Sequence, residues 1–216
     1  MTRRRIILLP VLLLVAGLLY FFSPTQLSSL YSFDDWAPLG SPSAQARRAQ
    51  EIHGLLYFVI NRADKILVPL SDLDAPIDPT KPIELRVYGE DGGLESASQR
   101  DWIERANALD RDTPLVIFSK SYCPFSRRAK ALLATYDISP PPTIIEVDQR
   151  GDGDLIKSIL TRLTGRATFP NVILKGNSIG GSDDLQVLHQ RGKLASMLRK
   201  AGLQIRADRK YYEPPQ

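Results

Sequence analysis

Apolar and polar residues along the chain fall into three regimes. Residues 6–22 form one uncharged, almost wholly apolar run behind Arg3, Arg4 and Arg5. Residues 23–98 mix Ser, Pro and acidic residues with short apolar runs, and only residues 44–62 carry a sustained helical pattern, with Ile52, Leu55, Leu56 and Val59 on one face. Within 84–88, charged and apolar residues alternate, predicting an edge strand, and 89–93 reads as a turn. From residue 99 the period switches repeatedly between helical and strand spacing. The pattern predicts a helix over 99–109, a buried strand over 115–119, a helix over 124–136 and a proline-stiffened loop over 137–142. A strand over 143–148, a helix over 151–164 and a hairpin of 171–174 with 177–179 follow, the hairpin turning at Lys175 and Gly176. Ser182 reads as a helix N-cap. Helix continues over 186–203, broken at Gly192, and 207–216 reads as a frayed tail. Strands alternating with helices predict an α/β domain, a small mixed sheet covered by helices.

The run 6–22 is close to the shortest span of roughly 17 residues that crosses a bilayer. Its aromatic end, Tyr20, Phe21 and Phe22, suits an interface, and the arginines precede it. The positive-inside rule then places residues 1–5 in the cytosol and translocates the rest, giving a single-pass type II protein with 6–22 as an uncleaved signal anchor; a cleaved signal peptide is the competing reading, against which the bulky residues 18–22 follow directly on the small Val15, Ala16 and Gly17. A lumenal stalk would cover 23–98, the catalytic domain 99–205 and the tail 206–216. The net charge of +4 over 216 residues is too small and too dispersed for a nucleic-acid footprint. With one cysteine and two histidines in the chain, an intrachain disulfide is excluded and a zinc site is disfavoured. The helix at 44–62 could pack on the catalytic domain or on a partner chain, so a homodimer is possible.

The candidate chemistry centres on Cys123. It follows the strand at 115–119 and opens the helix at 124–136, where free backbone N–H groups and the positive end of the helix dipole favour a thiolate. Lys120, Arg127 and Arg128 add positive charge around the same turn, and Pro124 suits the first helical turn. Both effects lower a thiol pKa, and the thiolate is the reactive form.

Cys123-Pro124-Phe125-Ser126, preceded by Lys120, resembles the glutaredoxin active site, with Ser126 where dithiol members carry a second cysteine. Thr168-Phe169-Pro170 is similar to the family's Thr-Val-Pro loop, and Gly180-Gly181-Ser182-Asp183-Asp184-Leu185 to its Gly-Gly-x-x-Asp-Leu segment. With the N-terminal run, the chain resembles the membrane-anchored monothiol glutaredoxins of the fungal secretory pathway. The resemblance implies a thioredoxin fold and a glutathione-dependent thiol–disulfide oxidoreductase of the endoplasmic reticulum or Golgi, acting on glutathionylated proteins. It implies Cys123 as nucleophile and Lys120 as a contact to the glycine carboxylate of glutathione. Phe125 takes the position of the family's Tyr, without its hydroxyl. Lys157 falls where many members have a Gln that touches the same carboxylate. Thr168, Phe169 and a cis Pro170 would present backbone groups to the peptide, and Ser182 and Asp183 would hold the γ-glutamyl end. An alternative is a [2Fe–2S] cluster held between two chains, each supplying Cys123 and one glutathione.

Overall fold

A computed structural model describes residues 42–67, 78–83, 85–88 and 99–206, all within the unit Pro42–Gln216. The apolar run at 6–22, the rest of 1–41 and the tail at 207–216 lie outside the described residues. Among the described residues, no helix is long and apolar enough to cross a membrane.

Helix α1, Pro42–Asn61, comes first, and a 3-10 turn at Leu85–Tyr88 follows it. Next come helix α2 (Gln99–Asp112), strand β1 (Leu115–Ser119), helix α3 (Pro124–Ala134), the short strand β2 (Ile138–Ser139) and strand β3 (Thr143–Glu146). After a 3-10 turn at Val147–Gln149, helix α4 spans Gly153–Thr164. The chain ends with the hairpin β4 (Asn171–Leu174) and β5 (Asn177–Gly180), helices α5 (Ser182–Gln190) and α6 (Lys193–Lys200), and strand β6 (Gln204–Ile205).

The main sheet has the order β3-β1-β4-β5. β1 runs parallel to β3, with Ser119 opposite Glu146, and antiparallel to β4. A parallel pair needs a crossover, and α3 supplies it. β2 pairs with β6 in a separate two-stranded sheet. Every residue of β1 is buried, as expected of a central strand covered on both faces. Leu115 and Ile117 pack with Leu132, Leu133, Leu185 and Leu198. Val116 and Phe118 turn the other way, toward Leu55, Val59, Ile156 and Ile159. So α3, α5 and α6 cover one face of the sheet, and α1 and α4 cover the other.

Helix α1 is therefore core, not a detached rod: Leu55, Leu56, Phe58 and Val59 are at most 3% exposed. Two of its polar side chains, Glu51 and His53, also reach the rest of the fold. Glu51 takes both a two-pronged ion pair from Arg162 of α4 and the Ile83 N–H at 3.1 Å. His53 sits at the junction with α2 and the β4–β5 turn. Its Nδ1 faces the Ala49 carbonyl at 2.7 Å and its Nε2 the Asp110 carboxylate at 3.0 Å. Burial pulls its pKa down, but these two acceptors outweigh burial and raise it. Gly176 admits the ring, because a Cβ there would stand 2.5 Å from His53 Cε1.

Several element boundaries differ from the sequence pattern. Residues 85–88 form a 3-10 turn in place of the expected edge strand, because Tyr88 is drawn wholly inside against α1. β3 stops at Glu146, and Val147 turns inward to begin a 3-10 turn. The proline-rich loop contains β2, which β6 pairs with. Helix α3 ends at Ala134, two residues before the expected end.

Candidate functional site

The site is built at the carboxyl end of β1, where the strand hands over to α3. Cys123 is the N-cap of α3, in extended backbone conformation, and Pro124 opens the helix where a missing N–H costs nothing. The turn closes through the Cys123 N–H, which donates to the Lys120 carbonyl at 3.0 Å. Ser126 lies wholly buried in the first turn, and its hydroxyl accepts the Lys120 N–H at 3.2 Å. Burial alone would raise the Cys123 pKa, but the N–H and hydroxyl of Ser126, the N–H of Phe125 and the charge of Lys120 outweigh it and lower it. The thiol is half-buried and accessible. Of the three cations expected to activate it, Lys120 bears on the sulfur, whereas Arg128 turns away toward α5.

The loop after α4 comes to the thiol from the opposite side. Gly165 ends α4 in the left-handed conformation, φ 72°, as favoured at a helix C-terminus. The Thr164 hydroxyl accepts from the Asn171 side-chain amide at 2.9 Å, tying the two ends of the loop together. Between them the Phe169–Pro170 peptide bond is cis. The Cys123 thiol donates to the Phe169 carbonyl at 3.8 Å. Lys120 lies over two rings, Tyr122 at 5.8 Å and Phe169 at 5.9 Å from its ammonium. Lys120 and Cys123 thus both meet Phe169, the residue that precedes the cis Pro170.

A second cluster adjoins it. The Arg128 guanidinium lies 5.2 Å over the Phe125 ring, donates to the Ser182 hydroxyl at 2.7 Å and pairs with Asp183. The Phe125 ring is half exposed, and Asp183 is open to solvent. Ser182 is not the N-cap expected from its sequence position. Gly181 holds that place, and Asp184, with its carboxylate, accepts the Gly181 N–H at 2.8 Å. Ser182 lies inside the helix, and its hydroxyl accepts from Arg128. Gly181 is needed there: a Cβ would stand 2.9 Å from the Pro170 carbonyl oxygen and 2.8 Å from the Arg166 guanidinium.

Thr168 lies exposed in the same loop. Lys157 is exposed on α4, and no hydrogen bond, ion pair or ring contact joins it to the other site residues among those described. Arg162 faces away, committed to Glu51 and to the Pro79 carbonyl. His189 packs edge-on against Tyr136, a structural contact. Sequence pattern missed Arg166, which pairs with Asp184 at the helix start, and Asp148, which binds Ser121 beside the thiol turn. Neither has a local signal, since their partners lie 18 and 27 residues away. Among the described residues, no group of three or more His, Cys, Asp or Glu could hold a metal ion.

Comparison with known proteins bears on this geometry. A family model described as Glutaredoxin matches residues 115–179, the span that contains Cys123 and Pro170. Glutaredoxin-C8 of Oryza sativa is 46% identical over 84 residues, 39% of this chain and 62% of that protein. Glutaredoxin-C1 of Arabidopsis thaliana is 38% identical over 100 residues, 46% of this chain and 78% of that protein. A solved buckwheat glutaredoxin–glutathione complex is 40% identical, covers 46% of this chain and 89% of its own, and superposes with a TM-score of 0.41. The chain thus spans somewhat less than two thirds of the rice relative and over three quarters of the Arabidopsis one. On that shared sequence, the chain belongs to the glutaredoxin family.

Proposed function

We propose that the protein is a monothiol glutathione-dependent oxidoreductase that removes glutathione from protein mixed disulfides. The observation that carries this reading is the Cys123 thiol at the α3 N-terminus, its pKa lowered, with a serine buried where a second thiol would stand. The Cys123 thiolate attacks the glutathione sulfur of the mixed disulfide. The protein–glutathione S–S bond breaks, the protein leaves as a thiolate and takes up a proton, and a Cys123–glutathione disulfide remains. A second glutathione, as thiolate, attacks the glutathione sulfur of that disulfide. Oxidised glutathione forms and Cys123 returns as thiolate. Ser126 has no sulfur to resolve the intermediate, so the cycle draws on external thiol.

Glutathione fits the cleft chemically. Lys120 offers a cation beside the thiol, and the Phe169–Pro170 backbone lies against the sulfur, where a peptide could pair as an added strand. The γ-glutamyl carboxylate is assigned to the N–H groups at the start of α5, near Ser182 and Asp183, where a helix N-terminus attracts anions. The exposed Phe125 and Thr168 would flank the peptide, and Lys157 would reach it from α4. Buckwheat glutaredoxin, 40% identical in sequence and solved with glutathione, supports the choice of ligand.

Steady-state turnover of a small glutathione mixed disulfide by the purified full chain, with the visible spectrum recorded on the same sample, tests this reading. Glutathione-dependent turnover by a colourless protein is the expected result. Turnover at the uncatalysed rate, or absorbance that marks a [2Fe–2S] cluster with no turnover, would overturn it.

The anchor at 6–22 completes the proposal. It rests on the arginines before the run, the run's length and its aromatic end. It places the catalytic domain in the lumen of the endoplasmic reticulum or Golgi. Alkaline extraction should leave the full chain in the membrane pellet, and protease should reach the domain only after detergent. Release into the supernatant would refute the anchor.

A further inference from the structure

The turn that carries the thiol is held from outside its own strand and helix. Ser121 stands between Lys120 and Tyr122, and both of its donors go to one carboxylate. Its N–H donates to Asp148 Oδ1 at 2.8 Å and its hydroxyl to Oδ2 at 2.5 Å. Two charge-assisted bonds to one residue fix orientation as well as distance. Asp148 lies in the 3-10 turn that follows β3, and β3 ends beside β1 in parallel register. The carboxylate therefore bridges the outgoing ends of two neighbouring strands.

That 3-10 turn is fastened in its own right. Arg150 donates to both carboxylate oxygens of Asp152, at 2.8 Å and 2.9 Å, and to the Lys65 carbonyl at 2.8 Å. Asp152 also accepts the Leu67 N–H at 2.7 Å. The two side chains are 11% and 2% exposed, so the pair is sheltered from competing water. The Arg150 guanidinium lies 5.8 Å over the ring of Phe58 in α1. A Cβ at Gly153 would stand 2.3 Å from the Val147 carbonyl oxygen, so the turn folds tightly onto the start of α4. The segment after α1 is thus hydrogen-bonded to the loop that carries Asp148.

We propose that Asp148 is a positioning residue for exchange at Cys123, and that Lys65 and Leu67 hold it in place through Arg150 and Asp152. This rests on the glutathione-exchange reading above. The role is geometric. A carboxylate has the wrong sign to stabilise a thiolate, and the charge that Asp148 faces is Lys120. What Asp148 supplies is the path of the backbone through Ser121, and with it the place of Lys120 and of the Cys123 N-cap. The N-terminal extension then contributes to the site without touching substrate.

The alkylation rate of Cys123 by iodoacetamide against pH, in the full chain, reads the thiol without glutathione, and kinetics on the same samples separate KM from kcat. Asp148→Ala frees the turn. Its alkylation midpoint should rise by about half a pH unit as Lys120 drifts from the sulfur, with KM for glutathione raised several-fold and kcat less affected. Asp148→Asn keeps an acceptor for Ser121 and loses the like charge, so its midpoint should stay or fall. Arg150→Lys keeps a charge for Asp152 but cannot also reach Lys65, and its midpoint should rise in the direction of Asp148→Ala. Equal downward shifts in both Asp148 variants would mean the carboxylate acts by charge alone and overturn its positioning role. An unmoved midpoint in Arg150→Lys would overturn the part assigned to residues 65–67. Loss of wild-type turnover would remove the exchange reading, while the midpoints would still decide this one.

Discussion

Cys123→Ser should reduce turnover of a glutathione mixed disulfide to the uncatalysed background and leave the thermal melt nearly unchanged. The sulfur is the atom that forms and breaks bonds, and a hydroxyl at neutral pH has no comparable anionic fraction. The structural cost is small. The side chain is half-buried, and the hydrogen bond it donates, to the Phe169 carbonyl, is a long and weak one at 3.8 Å, so little is lost with it. A change within about 0.5 kcal/mol is the expectation for such a site. Residual turnover in Cys123→Ser would show that the chemistry lies elsewhere. Two companion results follow from the same geometry. Wild-type turnover should fall on acidification through the thiol pKa, since the reactive thiolate is then protonated. Ser126→Cys should still remove glutathione, but more slowly. It loses the hydroxyl that accepts the Lys120 N–H, and the introduced thiol can form a competing intrachain disulfide with Cys123. Activity that appeared only with Ser126→Cys would contradict the monothiol cycle.

Glu51→Ala should cost about 3 kcal/mol, read as a lowered denaturation midpoint, because it strands a largely buried guanidinium. Glu51 is 2% exposed and accepts both from Arg162 and from the Ile83 N–H. Its removal leaves Arg162 with the Pro79 carbonyl and leaves the Ile83 N–H without its acceptor. The neighbouring Tyr88 hydroxyl is buried and has no hydrogen-bond partner among the described residues. Burial, the largest cause, pushes its pKa up and persists without Glu51, so the neutral phenol cannot replace the lost carboxylate. Glu51→Leu combined with Arg162→Met removes both charges and should recover most of the loss, since a buried pair is worth little more than well-packed apolar side chains of similar size. A single Glu51→Ala variant as stable as wild type would show that α1 is not docked on α4 in solution.

Helix α1 shows how far the sequence pattern reaches. Its existence, its bounds to within two residues and its apolar stripe are legible, because helical periodicity is written locally in Ile52, Leu55, Leu56 and Val59. Where that stripe packs is not legible. Glu51 and Arg162 lie 111 residues apart, and nothing local to either names the other. The same division runs through the site. A β-branched run ending at Ser119, a proline after a cysteine and a helical pattern beyond them mark the strand–thiol–helix elbow. The partner of Ser182 is not legible, because its hydroxyl meets Arg128, which α3 delivers from across the fold. Alternation around Tyr88 points to a strand, whereas burial against α1 curls the segment into a 3-10 turn. By itself, then, the sequence determined most of the elements, the candidate thiol and the family, since these rest on periodicity and on residues adjacent along the chain. Only the tertiary structure decided what covers each face of the sheet, which arginines meet which carboxylates, and which aspartate holds the thiol turn. Those are contacts between distant residues, and they exist only once the chain has paid the entropy of bringing them together.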